Sequence, residues 1–455
     1  MRLKLSLTSF IIFINCVQNF SQQTVLPTPS HVAWAEAEIG VIIHCDINIF
    51  APDTYKESDP TTLPDLKVFN PAKLNTDQWI ESAVSLGAKY AVLTAKHGTG
   101  FCLWPSKANP YHVGNTPWKD GKGDIVADFI QSCKKYGVKP GIYYNTNWNT
   151  YYGAKRPMPL TGEKLKEYNQ AVLQQITELW TNYGPLFEIW FDGGVMMDEE
   201  GGIASAVIRL IETKQPDAVL FQGPGNAKNL IRWIGNEGGH APYPNWSRAN
   251  TTTSSDGVEE IVYGTGSCDG KIWCPAEADF PNRYSSAWAG GWLWRANEEQ
   301  HIVPAATLVE RYYTSVGMNS NMLVGMVIDT DGLFPDADKQ QFILAGKEIR
   351  RRFDKAIAET SGKGNTVTLK IGKQPVAVNH VVIQEDIVQG EHIRKYAVEA
   401  KIDGKWMTVC DGESIGHKRI QQFNTVKTTE IRLRVDESAT TPIIKRLAVF
   451  NTGTE

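Results

Sequence analysis

Apolar and polar positions follow two different rules along the chain. From about residue 30 to about 358, short continuous apolar runs alternate with stretches whose apolar residues recur every three or four positions. Five runs read as buried strands: Gly40-Val41-Ile42-Ile43-His44, Tyr90-Ala91-Val92-Leu93-Thr94, Gly141-Ile142-Tyr143-Tyr144, Phe187-Glu188-Ile189-Trp190-Phe191-Asp192 and Val219-Leu220-Phe221-Gln222. Their lack of alternation predicts strands covered on both faces, as in a parallel sheet. Between them the helical period predicts helices. One is capped by Thr76 and stopped by Gly87, one runs over 124–136, one over 163–183 and one over 203–211. Strand and helix in alternation give a parallel α/β fold. About 330 residues without a Gly-rich dinucleotide turn favour a (β/α)8-type TIM barrel over a doubly wound sheet. After residue 222 the alternation blurs, and strands five to eight are not cleanly assigned.

From about residue 362 the period becomes two. Strands are predicted over 366–371, 377–384, 395–402, 406–410, 429–435 and 443–450, with Gly404, Gly412 and Gly416 punctuating them. This predicts a C-terminal antiparallel β-sandwich. A charged helical stretch, 336–358, bridges the two regimes. The expected organisation is a signal segment over 1–22, a catalytic barrel over 23–358 and a sandwich over 359–455. The first segment has Arg2 and Lys4 before an apolar stretch from Leu5 to Val17, then small and polar residues. That is a secretory pattern too short to span a bilayer, so the chain is expected to be exported, periplasmic or secreted. No other run reaches transmembrane length.

Composition narrows the partners. The net charge is −4, with two of the 46 basic residues inside the signal segment. Nothing in this balance points to nucleic acid or an anionic membrane. The six cysteines beyond the signal are scattered, with neither a disulfide framework nor metal-type spacing. Cys268 and Cys274 are near enough in sequence to pair, while Cys45, Cys102 and Cys133 read as buried thiols. The 14 Trp suit sugar-stacking platforms, against the simpler reading of core packing.

In a barrel enzyme the chemistry sits at the C-terminal ends of the strands. His44 ends the first run, Lys96-His97 follows the second, Tyr143 and Tyr144 end the third, and Asp192 ends the fourth. Each alone is an ordinary strand-end residue, and Asp before Gly-Gly is a common turn former. Together they converge on one rim. Glycoside hydrolysis needs two carboxyl groups, one acting as nucleophile or base and one as proton donor. Asp192 suits the first role. Glu237, in Asn236-Glu237-Gly238-Gly239, and Glu277, in Trp273-Cys274-Pro275-Ala276-Glu277, are candidates for the second, against the reading of solvated loop carboxylates. A metal-dependent hydrolase using His44, His97 and Asp192 is a further possibility on these residues alone.

Several of these segments resemble the α-L-fucosidases of glycoside hydrolase family 29. They are Gly40 to His44, Phe69-Asn70-Pro71 with Gln78-Trp79, Thr94-Ala95-Lys96-His97 with Gly100 to Pro105, Gly141 to Tyr144, Trp190 to Gly194, Asn236-Glu237, and Gly291-Trp292. The resemblance runs from Trp34 to about Phe334. It implies a retaining exo-α-L-fucosidase that forms a covalent fucosyl-enzyme and uses no cofactor or metal. On matching positions, Asp192 is the nucleophile, and His44, His97, Trp104 and Tyr143 line the fucose pocket. The branch acting on α-1,3/1,4 linkages implies Glu237 as acid/base, with Glu277 and Trp292 as substrate binders. Glu57 and Asp59 fall in a loop that contacts sugar in such relatives. The expected partner is a fucosylated oligosaccharide or glycan. The chain departs from the family at Gly98, where a second histidine is usual, and at Cys45-Asp46, where an aromatic-glycine pair is usual. Those departures motivate a second reading, a carbohydrate-binding protein with impaired catalysis on the same fold.

Overall fold

The computed structural model describes residues 25–57, 59–155, 160–225, 227–253, 259–262 and 264–453. The segment read as a signal lies outside them. Eight parallel strands close into a barrel: β1 (Ile39–His44), β2 (Tyr90–Lys96), β3 (Lys139–Asn145), β4 (Glu188–Asp192), β5 (Val219–Phe221), β6 (Leu230–Trp233), β7 (Ala276–Phe280) and β8 (Ser320–Val327). Each pairs with its neighbour in sequence order, and β8 closes on β1 with Val41 opposite Val324. The TIM-barrel expectation holds.

Two apolar layers follow from strand alternation. Side chains such as Val41, Ile43, Leu93, Ile142 and Ile189 face outward under the helices. Ile42, Val92, Tyr143, Trp190, Phe221 and Leu323 face inward and fill the barrel. Trp34, on the short helix α1 (Pro29–Ala35), joins this inner layer and donates its indole N–H to Glu188 Oε2 at 3.1 Å. Glu188 is the first residue of β4, so Trp34 plugs the N-terminal mouth.

The surrounding helices are α2 (Thr76–Leu86), α3 (Ile125–Tyr136), α4 (Gly162–Asn182), α5 (Ala204–Lys214), α6 (Ala305–Thr314) and α7 (Asp336–Phe353). Thr76 is not the cap of α2. Asn75 takes that place, accepting from the Gln78 amide at 3.3 Å, while the Thr76 hydroxyl turns inward to Ser132.

The sandwich begins at Ala358. Its strands are β9 (Ala358–Lys363), β10 (Thr366–Lys370), β11 (Val376–Glu385), β12 (Ile393–Ile402), β13 (Lys405–Gly412), β14 (Arg419–Thr428), β15 (Glu430–Ser438) and β16 (Ile443–Phe450). They form two antiparallel sheets, ordered β9-β16-β11-β14 and β10-β15-β12-β13. The six cysteines of the described residues are free thiols, so Cys268 and Cys274 do not pair; Cys274 is buried and Cys268 is not. Among the described residues no helix is long and apolar enough to cross a membrane.

Candidate active site

A cavity of about 470 Å3 opens at the C-terminal ends of the barrel strands. Its walls include His44, His97, Tyr143, Asp192, Glu237 and Trp292. Six of the eight residues singled out in the sequence therefore share one site.

Asp192 ends β4. Its Oδ2 accepts from the Tyr143 hydroxyl at 2.6 Å and from Asn145 Nδ2 at 3.0 Å. Tyr143 and Asn145 lie two residues apart on β3, so both point the same way. Lys96 sets the segment that follows. Its buried ammonium donates to the carbonyls of Asn145 and, at 3.2 Å, Trp148. Asn145 Oδ1 then accepts from the amides of Asn147 and Trp148, which fixes the amide plane that reaches Asp192. Burial lowers the Lys96 pKa to about 7, against the pull of the Cys102, Asp46 and Asp192 groups. Lys96 thus builds the rim from beneath.

Gly193 and Gly194 both hold positive φ, 71° and 77°. A Cβ on Gly193 would lie 2.8 Å from Asn147 Nδ2, so the turn after Asp192 excludes a side chain there.

The two histidines form an aromatic wall with Tyr143. His97 stacks on Tyr143 at 5.6 Å and 12°, and His44 meets Trp292 at 5.0 Å. Burial lowers the His44 pKa to about 3, helped by the neighbouring His97. Burial also lowers that of His97, against the opposing pull of Asp192. Both rings are neutral near pH 7, suited to trading hydrogen bonds with hydroxyl groups. Glu237 stands on the loop after β6, where its Oε2 accepts from Trp292 Nε1 at 2.9 Å. Trp148, Trp190 and Trp288 join Trp292 in the lining. Most other Trp, such as Trp34, Trp79 and Trp180, are core, so both readings of the tryptophan content apply to different members.

Two expected pocket residues are elsewhere. Trp104 is 1 % exposed. After His97 the chain turns back along β2, with the Leu103 amide donating to the Ala95 carbonyl at 2.9 Å. That reversal carries Trp104 down to the helices, where its N–H donates to Glu178 of α4 at 2.8 Å. It borders a larger outer hollow of about 680 Å3, whose carboxylates already serve as structural acceptors. Asp124 caps α3, and Glu178 takes Trp104 and the Lys107 amide.

Glu277 is the second correction. It is fully buried beneath the cavity, not in its wall. Its Oε2 accepts from Tyr90 at 2.6 Å and its Oε1 from Trp190 Nε1 at 3.0 Å. Glu188 lies beside it, and burial raises the pKa of both carboxyls, Glu277 to about 7. Two buried carboxyls with only neutral donors around them keep at least one proton between them at neutral pH.

Asp279, two residues further along β7, lines the cavity in its place, held by Trp233 Nε1 at 2.7 Å. It was missed because the sequence offers no turn or Gly-rich signal there. Glu57 also lines the cavity, whereas Asp59 caps a short 3-10 turn.

The departures from the family have distinct consequences. Gly98 lines the cavity, and a Cβ there would meet only Trp148 Cβ at 4.0 Å, so packing does not demand glycine. Asp46 is buried behind the wall, with Oδ1 accepting from the Thr99 hydroxyl at 2.6 Å and the Ile47 amide at 2.7 Å. Its Oδ2 lies 3.9 Å from His97 Nδ1. Among the described residues no group of three His, Cys, Asp or Glu side chains is arranged to hold a metal ion.

Comparison with known proteins gives the family. Residues 50–347 match the family described as Alpha-L-fucosidase. Alpha-L-fucosidase 1 of Arabidopsis thaliana is 31% identical over 471 aligned positions, spanning 94% of this chain and 88% of that protein. A solved structure from Bacteroides thetaiotaomicron, provisionally named an alpha-L-fucosidase, is 40% identical with a TM-score of 0.86, covering 94% of this chain and 99% of that one. A glycoside hydrolase 29 family member from an unknown rumen bacterium is 29% identical with a TM-score of 0.80, covering 95% and 78%. The chain belongs to the α-L-fucosidase family, glycoside hydrolase family 29, and is a glycoside hydrolase.

Proposed function

We propose that this enzyme is a retaining exo-α-L-fucosidase that removes terminal fucose, α-1,3/1,4-linked, from oligosaccharides or glycoconjugates. The observation that carries the reading is the anchored Asp192: Tyr143 and Asn145 both bond its Oδ2, which leaves Oδ1 to meet the anomeric carbon. In the first step Asp192 attacks that carbon while Glu237 protonates the departing oxygen. In the second, Glu237 takes a proton from water as the water displaces the carboxylate. The Trp292 indole N–H fixes the Glu237 carboxyl for both steps. His44 and His97 take the sugar hydroxyls, and the indole face of Trp292 suits the apolar C5 methyl of fucose. No cofactor or metal enters this scheme. The N-terminal segment supports export to the periplasm or beyond.

Hydrolysis of an aryl α-L-fucoside, followed for wild type and Glu237→Ala with and without azide, tests it. The variant is expected to lose turnover of a substrate with a poor leaving group by roughly a hundred- to ten-thousandfold, and azide should restore turnover of an activated one as a fucosyl azide. Rescue of Glu277→Ala instead would transfer the acid/base role. The second reading, a binding protein with impaired catalysis, would show as fucose binding by calorimetry without turnover of any fucoside.

A further inference from the structure

We propose that Asp279 is a substrate-binding residue, whose carboxyl hydrogen-bonds a hydroxyl group of the bound sugar from the wall of the cavity. The sugar is fucose if the preceding reading holds, but the argument needs only a hydroxyl-bearing ligand.

Position comes first. Strand alternation puts residues 277 and 279 of β7 on the same inward face, one layer apart. The lower carboxyl, Glu277, is spent on Tyr90 and Trp190. The upper one lines the same cavity as Asp192 and Glu237.

Orientation follows. The Trp233 indole N–H donates to Asp279 Oδ1 at 2.7 Å, which pins the carboxyl plane; beside the residue's own backbone amide it is the carboxyl's one bond among the described residues. Asp279 is only 3% exposed. A polar oxygen so withdrawn from water needs a partner when a ligand fills the cavity. A pyranose offers hydroxyls around its ring, and a few fixed polar groups among aromatic walls are the usual means of choosing between them.

Charge is consistent with this role. Burial, reinforced by Glu237 and Glu277, raises the Asp279 pKa well above the carboxylate range, against the opposing bond from Trp233. A neutral carboxyl carries both an O–H donor and an acceptor, so it can serve a sugar hydroxyl in either sense. It also adds no negative charge beside the two carboxyls that carry the chemistry.

The test compares Asp279→Asn, Asp279→Ala and Asp279→Glu, using L-fucose binding by calorimetry, kcat and KM on an aryl α-L-fucoside, and thermal unfolding. The amide keeps an acceptor for Trp233 and a donor for the sugar, so Asp279→Asn should stay within about threefold of wild type in Kd and KM. Asp279→Ala should weaken both by roughly ten- to a hundredfold, the effect of one lost buried hydrogen bond. Asp279→Glu, which pushes a methylene into the cavity, should weaken binding similarly even if the alanine variant does not fold. Unchanged KM in a folded Asp279→Ala overturns the assignment. So does an Asp279→Asn as impaired as the alanine variant, or an Asp279→Glu that binds like wild type. A wild-type enzyme with no activity on any fucoside would strike the fucosidase reading instead. Asp279 is then tested on whichever sugar the wild type does bind, through the same three variants.

Discussion

Carboxyl groups within one barrel acquire different characters from depth and partners alone. Asp192, at the rim, takes two hydrogen bonds on one oxygen. Glu277, a layer below Asp279 on the same strand, is enclosed with Glu188 and bonded only by neutral groups. Its folded-state pKa of about 7 lies above the ordinary 4.5. The folded state therefore holds a proton that the unfolded state releases between those values. This contribution to stability is full below pH 4.5 and is lost as pH rises to 7, with a slope of at most about 1.4 kcal/mol per pH unit. Glu277→Gln should remove much of that slope. Denaturant titrations of wild type and variant at several pH values between 4.5 and 7 should give free energies that converge toward low pH and diverge toward neutrality, the variant being favoured. Parallel curves would contradict a shared proton. His44, lowered to about 3, works in the opposite sense in both proteins and cancels in the difference.

The same pair shows what a sequence cannot resolve at this scale. His44, His97, Tyr143, Asp192 and Glu237 were legible because strand ends, and the loops just after them, face the rim of a parallel barrel. Glu277 and Asp279 share one face of one strand, and nothing in the residue order says which layer meets the ligand. Trp104 was misplaced because the backward turn after β2 is set by pairing with Ala95, not by local propensity.

Among the elements, β1 to β5 were readable where apolar runs are separated by helical stretches. The pattern fails after β5 for a topological reason. Residues 222–229 link β5 to β6 with no helix among the described residues, and the described residues of 234–275, between β6 and β7, form only small two-stranded pieces. In the sandwich, β9 has little apolar content. The apolar residues of β14, Ile420, Phe423 and Val426, recur every three positions, and its ladder with β11 slips between Val378 and His380. A period of two is lost at such a bulge.

The loop leaving β7 depends on one buried ion pair. Asp338 of α7 accepts from Arg283 Nε at 3.1 Å and Nη2 at 2.9 Å, and from Asn282 at 2.6 Å. Both charged side chains are essentially unexposed, at 1% and 0%. Gly291 packs so closely on the Arg283 carbonyl that a Cβ would lie 2.2 Å from it, so this pair also anchors the turn that presents Trp292. Asp338→Ala strands a buried guanidinium and should cost about 3–5 kcal/mol of stability, measured by chemical denaturation, while raising KM through the displaced turn. A cost under about 1 kcal/mol would mean that the pair does not hold the loop.

Across the whole molecule, the sandwich meets the barrel at the loop after β6, at α6 and α7, and at residues preceding strands. Glu38, before β1, lies 3.3 Å from His417 Nε2 and also pairs with Lys418. Asn319, before β8, donates to Glu391 at 2.7 Å and accepts from the His417 amide at 2.7 Å. Although burial opposes it, Lys418 and His417 hold the Glu38 carboxyl down to about 2. The sandwich thus braces the residues that lead into β1 and β8, and contributes none of the residues lining the cavity. Trp406 of β13 is covered by the Arg432 guanidinium at 4.3 Å, which suits a structural module.

The central claim is that Asp192 forms a covalent glycosyl-enzyme, and trapping tests it most directly. The enzyme is incubated with a 2-deoxy-2-fluoro-α-L-fucosyl-type reagent bearing an activated leaving group, digested, and its peptides are weighed and fragmented. The account predicts one fluorofucosyl mass increment, borne by Asp192. An active enzyme that gains no label, or that carries it on Glu237, Asp279 or another residue, would contradict it.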